Sequence, residues 1–291
     1  ATTKQESQVV ITGIAAAASL GVDAESIWRA ILAKTCGIGP LSEVESPLPP
    51  GSDGGQASEL PREYRPDLPR EARYLRWTIE HALRDADLRG GGPVRSSRCC
   101  AVLGTTLHGI RAGGRFLRSG RTEELGTFLA GATAQLALEE LGIDGGAVTT
   151  CSACSSSLGA IALGVTLLEC GRADVVIAGG YDAISEYSWA GFNALRLIAS
   201  TPLRPFCRDR QGMKVAEGYG IVVLERADAA IRRGASPRAM LAGWGESADS
   251  HHLTQPHPQG EGALAAMRQA LERARVPASR LGMIAAHATG T

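Results

Sequence analysis

The chain has 291 residues, 44% of them hydrophobic, which allows a sizeable core in one large or two fused α/β units. Its 30 basic and 30 acidic residues cancel, so no general attraction to nucleic acid or to an anionic membrane is implied. Seven cysteines in no regular framework do not form a secreted disulfide scaffold, residues 1–8 are too polar for a signal peptide, and no apolar run approaches the ~20 residues of a membrane span; a soluble protein of a reducing cytoplasm is expected.

In chain order, residues 9–14 are expected as a buried strand and the small residues after it as a turn into Leu20 and Gly21. Only Gly13 and Gly21 lie across that turn, so the glycine spacing of a dinucleotide fold is not met. Asp23 can cap a helix reaching Lys34, with Ile27, Trp28, Ile31 and Leu32 on its inner face. Residues 38–68, rich in Pro, Gly and Ser, are expected as a surface excursion, and residues 70–87 as a helix. That helix carries Arg70, Arg73 and Arg76, either as a solvated face or as an anion-docking edge.

The strand expected over residues 98–106 places Cys99 and Cys100 on opposite faces, which makes both structural. A helix over 122–141 and a short strand over 147–150 follow. After them Leu158, Ile161, Ala162, Val165 and Leu168 recur at helical steps and Gly171 stops the pattern. Cys154 therefore falls at a helix N-terminus, where unpaired N–H groups and the positive end of the dipole favour a thiolate. Three readings of it stand side by side: a buried structural thiol, a redox pair with Cys151 in C-x-x-C spacing, and an acyl-transfer nucleophile. The redox reading is disfavoured by the mid-chain position of the pair.

Residues 174–179 are expected as a strand ending at Gly179 and Gly180, and the segment with Trp189, Phe192 and Leu195 as mobile. Then come a glycine-rich turn region around Glu217, strands over 221–225 and 238–245, a loop over 247–254, a helix over 261–274, and a last strand over 282–286 that delivers His287.

Several of these stretches, in one order, resemble the β-ketoacyl synthases of the thiolase superfamily. The run from Ala153 to Leu158 matches the A-C-S-S-S-L of their nucleophile elbow; Leu203 to Gly220 is similar to their R-P-F-D…G-E-G-x-G segment; residues 247–256 resemble S-x-D-x-x-H-x-T-x-P; and His287 to Thr291 resembles H-G-T-G-T. The resemblance implies an α/β fold of the thiolase-like α-β-α-β-α layering, with residues 1–237 as the half that bears the nucleophile and residues 238–291 as the opening of the second half. It implies a decarboxylative Claisen condensation, in fatty-acid or polyketide synthesis, of an acyl group held on Cys154 with a malonyl unit. The malonyl unit would be carried on the phosphopantetheine of an acyl-carrier protein, with no cofactor or metal held by the enzyme itself. His287 would assist decarboxylation, Thr289 and Thr291 would bind the pantetheine arm, and Arg73 and Arg204 would lie on the carrier-docking surface. A homodimer, or a heterodimer with a related subunit, is also implied. The alternatives are a non-catalytic pairing subunit or carrier binder, and a thiol redox protein.

Departures from the family pattern are Cys207 in place of aspartate, Ala216 in place of glycine, Ala288 in place of glycine, and the neighbour Cys151. Members of the family continue past H-G-T-G-T into a segment with a lysine, a second histidine and a glycine-rich loop. The expectation is that this remainder exists on another polypeptide or was removed.

Overall fold

The computed structural model describes residues 8–88, 94, 98–252 and 255–291, so Leu253 and Thr254 of the expected 247–254 loop lie outside the described residues, as do residues 1–7. At its centre is a six-stranded sheet. In chain order the strands are β1 (Val9–Ala18), β4 (Cys99–Gly104), β5 (Ala147–Thr150), β6 (Val175–Asp182), β7 (Gly218–Arg226) and β8 (Ala239–Leu241), and they lie side by side as β5-β4-β6-β7-β1-β8. β5, β4 and β6 are parallel, while β7 runs antiparallel to both its neighbours, β6 and β1. A further pair, β2 (Gly39–Pro40) and β3 (Asp53–Gly54), forms a small antiparallel ladder.

Helices cover both faces. α2 (Arg70–Asp85) and α4 (Ala130–Leu138) close one face over Leu103, Ile177, Ile221 and Val223, and α5 (Ser156–Glu169) closes the other over Val102, Val176 and Leu224. β6 is buried on both faces, as expected of a central strand in a sheet covered by helices on both sides. The adjacent cysteines divide between the two faces as expected, Cys99 in the first cluster and Cys100 against the second. Burial pushes the Cys99 thiol up to about 12, which keeps it an inert core group.

Several sequence expectations are corrected. Residues 15–18 continue β1 instead of turning, because they pair with residues 218–221 of β7. α1 (Ala24–Leu32) forms behind its Asp23 cap, but its apolar face is not an inner one: Trp28, Ile31 and Leu32 are exposed, Trp28 by 58%. Helical spacing shows which side is apolar, not whether anything covers it. The 38–68 excursion is anchored, with Ala57, Leu60 and Leu68 buried.

The expected 122–141 helix splits into a 3₁₀ stretch (Thr122–Thr127) and α4, with Leu129 extended between them; Gly126 and Gly131 weaken the helix there. α3 (Ile110–Ser119) was not expected. The segment expected to be mobile is α6 (Glu186–Ala194), with Ser185 and Ser188 in a capping box and Trp189 buried. Gly179 and Gly180 lie within β6, not after it.

After β7 and the short α7 (Ala227–Arg232), the chain adds β8 to the same sheet through β1; this strand covers only three of the residues expected, 238–245. α8 (Glu261–Ala274) forms over the expected residues. Residues 282–286 are not a strand: they join no ladder among the described residues, and Met283 and Ile284 are largely exposed. Among the described residues, no helix is long and apolar enough to cross a membrane.

Candidate active site at the β5–α5 elbow

The chain leaves β5 at Thr150 and enters α5 at Ser156, and Cys154 sits at the bend between them, one residue before the helix cap Ser155. The bend is sharp because Ala153 takes a left-handed backbone, φ 50. For a residue with a side chain that costs about 1–2 kcal/mol. The conformation is held by hydrogen bonds onto one oxygen: the Ala153 carbonyl accepts from Thr106 Oγ1 (2.8 Å), Ser156 Oγ (2.6 Å) and Ser156 N (3.0 Å). Ser156 Oγ also accepts from Ser152 N (2.9 Å), so one buried hydroxyl ties both limbs of the bend.

The floor beneath the elbow is made of glycines. A Cβ on Gly104, at the end of β4, would stand 2.2 Å from the carbonyl carbon of Ser156; one on Gly180 would stand 2.2 Å from Ser157 Oγ and 2.3 Å from Gly104 O. Only glycine at both positions lets α5 start this close to the sheet. Beside them the Asp182 carboxylate, at the end of β6, accepts from Thr105 Oγ1 (2.7 Å), Thr106 N (3.1 Å) and Leu107 N (2.7 Å). That fixes the loop whose Thr106 hydroxyl steadies Ala153. In the same loop His108 donates from Nδ1 to Phe128 O (2.9 Å), which leaves its Nε2 without a proton in the neutral ring.

Cys154 and Cys151 are both exposed free thiols. Among the described residues neither thiol makes a hydrogen bond, and the Cys154 N–H donates to no protein acceptor. An exposed sulfur with an unused N–H beside it can attack a carbonyl carbon and stabilise the oxyanion that forms. The pattern expected for α5 holds for Ala162, Val165 and Leu168, which are buried, but Leu158 is 71% exposed on the elbow side.

His287 lies in the exposed C-terminal tail, and its ring makes no hydrogen bond among the described residues, with Cys154 or any other group. The tail is anchored beyond it. Gly212 N donates to Gly290 O (3.0 Å), and Arg210 Nε donates to Thr291 O (3.1 Å). Thr289 and Thr291 are brought together, their hydroxyls 2.7 Å apart. Ala288, which departs from the family's glycine, takes a left-handed backbone of φ 50, so glycine at that position has a conformational reason.

The arginines separate. The Arg73 guanidinium is half-buried and donates to the carbonyls of Tyr64 (2.6 Å) and Pro61 (2.7 Å). Arg70 pairs with the fully buried Glu217 and with Glu43, and Arg76 pairs with Glu80, so these two are not a solvated face. Arg204 is exposed in the loop against which Gly290 rests. Sequence reasoning missed Gly104, Thr106 and Asp182, which come from elements remote in the chain; the Gly-Gly pair at the end of residues 174–180 was the one signal that pointed to this floor.

A strand–helix elbow at the end of a mixed sheet covered by helices on both faces places the chain in the class of thiolase-like α/β folds. The family models of the β-ketoacyl synthase N-terminal domain and C-terminal domain match residues 6–230 and 238–291, and the chain belongs to the β-ketoacyl synthase family. Among its relatives are nodulation protein E of Rhizobium sp. (strain N33), 35% identical over 98% of this chain and 73% of that protein, and the mitochondrial 3-oxoacyl-[acyl-carrier-protein] synthase of Arabidopsis thaliana, 29% identical over 98% and 70%. Among solved structures, the ishigamide ketosynthase/chain length factor superposes with a TM-score of 0.86 at 26% identity, covering 98% of this chain and 74% of that one. The ketosynthase ApeO of Xenorhabdus doucetiae, solved in complex with its chain length factor ApeC, gives 0.80 at 28% identity, covering 100% and 74%.

Proposed function

We propose that this chain carries the nucleophile of a decarboxylative Claisen condensation in fatty-acid or polyketide synthesis. The observation that carries the reading is Cys154 at the tip of the elbow, exposed, with its own N–H unused. In the first half-reaction the Cys154 thiolate attacks an acyl thioester carbonyl; the tetrahedral oxyanion takes the Cys154 N–H, and collapse expels the carrier thiolate, which picks up a proton. In the second, a malonyl thioester loses carbon dioxide to leave an enolate, whose carbon attacks the Cys154 acyl group and releases the Cys154 thiolate.

His287 is the group assigned to steady the enolate oxygen, and Thr289 and Thr291 are assigned to hydrogen-bond the pantetheine arm. Residues 1–237 then form the half with the nucleophile and residues 238–291 bring in the histidine motif. The substrate comes on the phosphopantetheine of an acyl-carrier protein, and the enzyme works as a dimer with a second copy or with a related subunit. For carrier docking Arg204 is the better surface cation, since Arg73 already donates to two backbone carbonyls. Arg204→Glu is expected to raise KM for carrier-bound acyl groups about tenfold and leave KM for small thioesters unchanged, through loss of electrostatic attraction; equal effects on both substrates would remove the docking role. The nucleophile itself is tested by peptide mapping after incubation with an acyl thioester. The acyl group is expected on Cys154, and iodoacetamide pretreatment is expected to abolish it; an acyl group mapped to Cys151 instead would contradict the assignment.

A further inference from the structure

Cys151 departs from the family pattern at the elbow itself, and the acyl-transfer reading gives it no task. The bend lays two limbs of chain side by side. Thr150 Oγ1 donates to Ser156 O (3.3 Å) and Ser152 N donates to Ser156 Oγ (2.9 Å), so the residues on either side of Cys151 are both tied to Ser156, just past Cys154. Ser155 N donates to Ser152 O (3.2 Å), which closes a turn whose end Cα atoms lie within about 7 Å. Cys151 and Cys154 each stand one residue before those ends, and a disulfide joins Cα atoms over a similar range, about 4–7 Å. These bonds all lie within residues 150–156, so they do not depend on the C-terminal tail.

Both thiols are free, and each can reach a small reagent. The other cysteines are not placed to pair in this way. Cys99 and Cys100 divide between opposite faces of β4, and Cys36, Cys170 and Cys207 have no second cysteine close by in the chain. A sulfur able to attack a thioester carbonyl is also able to attack a peroxide, and without a second thiol its oxidation runs on past sulfenic acid to the irreversible sulfinic acid.

We propose that Cys151 is a resolving thiol for Cys154, so that hydrogen peroxide converts the two into a reversible disulfide that switches the nucleophile off and shields it from irreversible oxidation. In the first step the Cys154 thiolate attacks one peroxide oxygen; the O–O bond breaks, the sulfur is oxidised to sulfenic acid, and the other oxygen leaves as hydroxide and is protonated to water. In the second the Cys151 thiolate attacks the Cys154 sulfur; the S–O bond breaks, the disulfide forms, and hydroxide again leaves as water. A thiol reductant reverses the outcome by exchange. The proposal rests on the acyl-transfer reading for its consequence, the loss of acylation, while the pairing stands on the bend alone.

The test treats the 291-residue chain and its Cys151→Ser variant with a few equivalents of hydrogen peroxide, caps the remaining thiols with iodoacetamide and maps the tryptic peptides by mass. Cys151 is exposed, so the variant should fold, which far-ultraviolet circular dichroism checks. The peptide spanning residues 122–172 holds Cys151, Cys154 and Cys170. In wild type it is expected to lose two hydrogens and to carry a single carbamidomethyl group, on Cys170. In Cys151→Ser the same dose is expected to leave sulfinic acid on Cys154. Dithiothreitol should then restore Cys154 to the free thiol, open to iodoacetamide and to acylation, in wild type and not in the variant. Sulfinic acid on Cys154 of wild type with Cys151 capped, the same Cys154 product in both proteins, or a disulfide from Cys154 to Cys170 or between two chains overturns the proposal. Acylation of the untreated protein separates the two readings: acylation without the Cys151–Cys154 disulfide removes the switch alone, whereas the disulfide in a protein that is never acylated keeps the thiol pair and removes the transfer reaction.

Discussion

At the scale of single residues, the elbow depends on atoms that are absent. Gly104→Ala would drive a methyl into the Ser156 backbone, and Gly180→Ala would do the same to Gly104 O, neither of which can swing away. Each is expected to cost about 1–3 kcal/mol, the usual penalty for overpacking, read as a lowered urea midpoint. Acylation of Cys154 should fall further than stability does, because the displaced atoms are those that hold Ala153; full acylation in both variants would show that the elbow tolerates the shift. The Asp23 cap makes a separate prediction. Its carboxylate accepts from Ser26 N, and that hydrogen bond holds its pKa below the ordinary 3.8. A lowered folded-state value means that the contribution is complete above the unfolded value and fades as pH falls through the folded one. Asp23→Ala is therefore expected to cost about 1 kcal/mol at pH 7, and the gap between variant and wild type should close as the buffer is taken below pH 3.8. A gap independent of pH would show that the cap works without its charge.

At the scale of elements, two buried glutamates have opposite circumstances. Glu217 precedes β7 and clamps three segments: it pairs with Arg70 Nη2 at 2.5 Å and accepts from Ala57 N (2.6 Å) and Ile184 N (3.1 Å). Glu217→Ala leaves Arg70 and two backbone donors without their acceptor, a loss expected at about 3–5 kcal/mol in equilibrium unfolding; a loss under 1 kcal/mol would mean that water replaces the carboxylate. The glutamate before Gly218 was visible in the sequence as part of a motif, but its partners lie in the 38–68 excursion, α2 and the segment before α6, so its clamping role was not.

Glu71 in α2 is fully buried, neither of its oxygens has a hydrogen-bond partner, and Arg111 Nε stands 3.8 Å away. Burial raises its pKa, and the Arg111 charge opposes that without overcoming it, since Arg111 is also engaged by Glu45 and by the carbonyls of Glu43 and Ile184. A raised carboxyl is least costly when protonated, so the wild type should lose stability relative to Glu71→Gln as pH rises above 4.5, the ordinary value. Parallel urea midpoints of the two proteins from acid to neutral pH would contradict this.

At the scale of the whole molecule, legibility followed the range of the interactions. The helix behind Cys154, the strand before it and the 261–274 helix were readable because spacing, caps and stops are local signals. The exposed face of α1, the unpaired 282–286 segment and the tie between Ala153 and Thr106 depend on what lies opposite in space, which spacing does not encode. The motifs around Cys154, Glu217 and His287 carried the family, and the order of β5-β4-β6-β7-β1 places the first of them at the sheet end where Gly104, Gly180 and Asp182 converge.

The central claim is that Cys154 accepts an acyl group. It is tested most directly by intact mass of the protein after incubation with an acyl-carrier-protein thioester, for wild type, Cys154→Ala and Cys151→Ala. The account predicts a single acyl adduct on wild type and on Cys151→Ala and none on Cys154→Ala. An adduct that survives Cys154→Ala, or no adduct on folded wild type together with its partner chains, would contradict it.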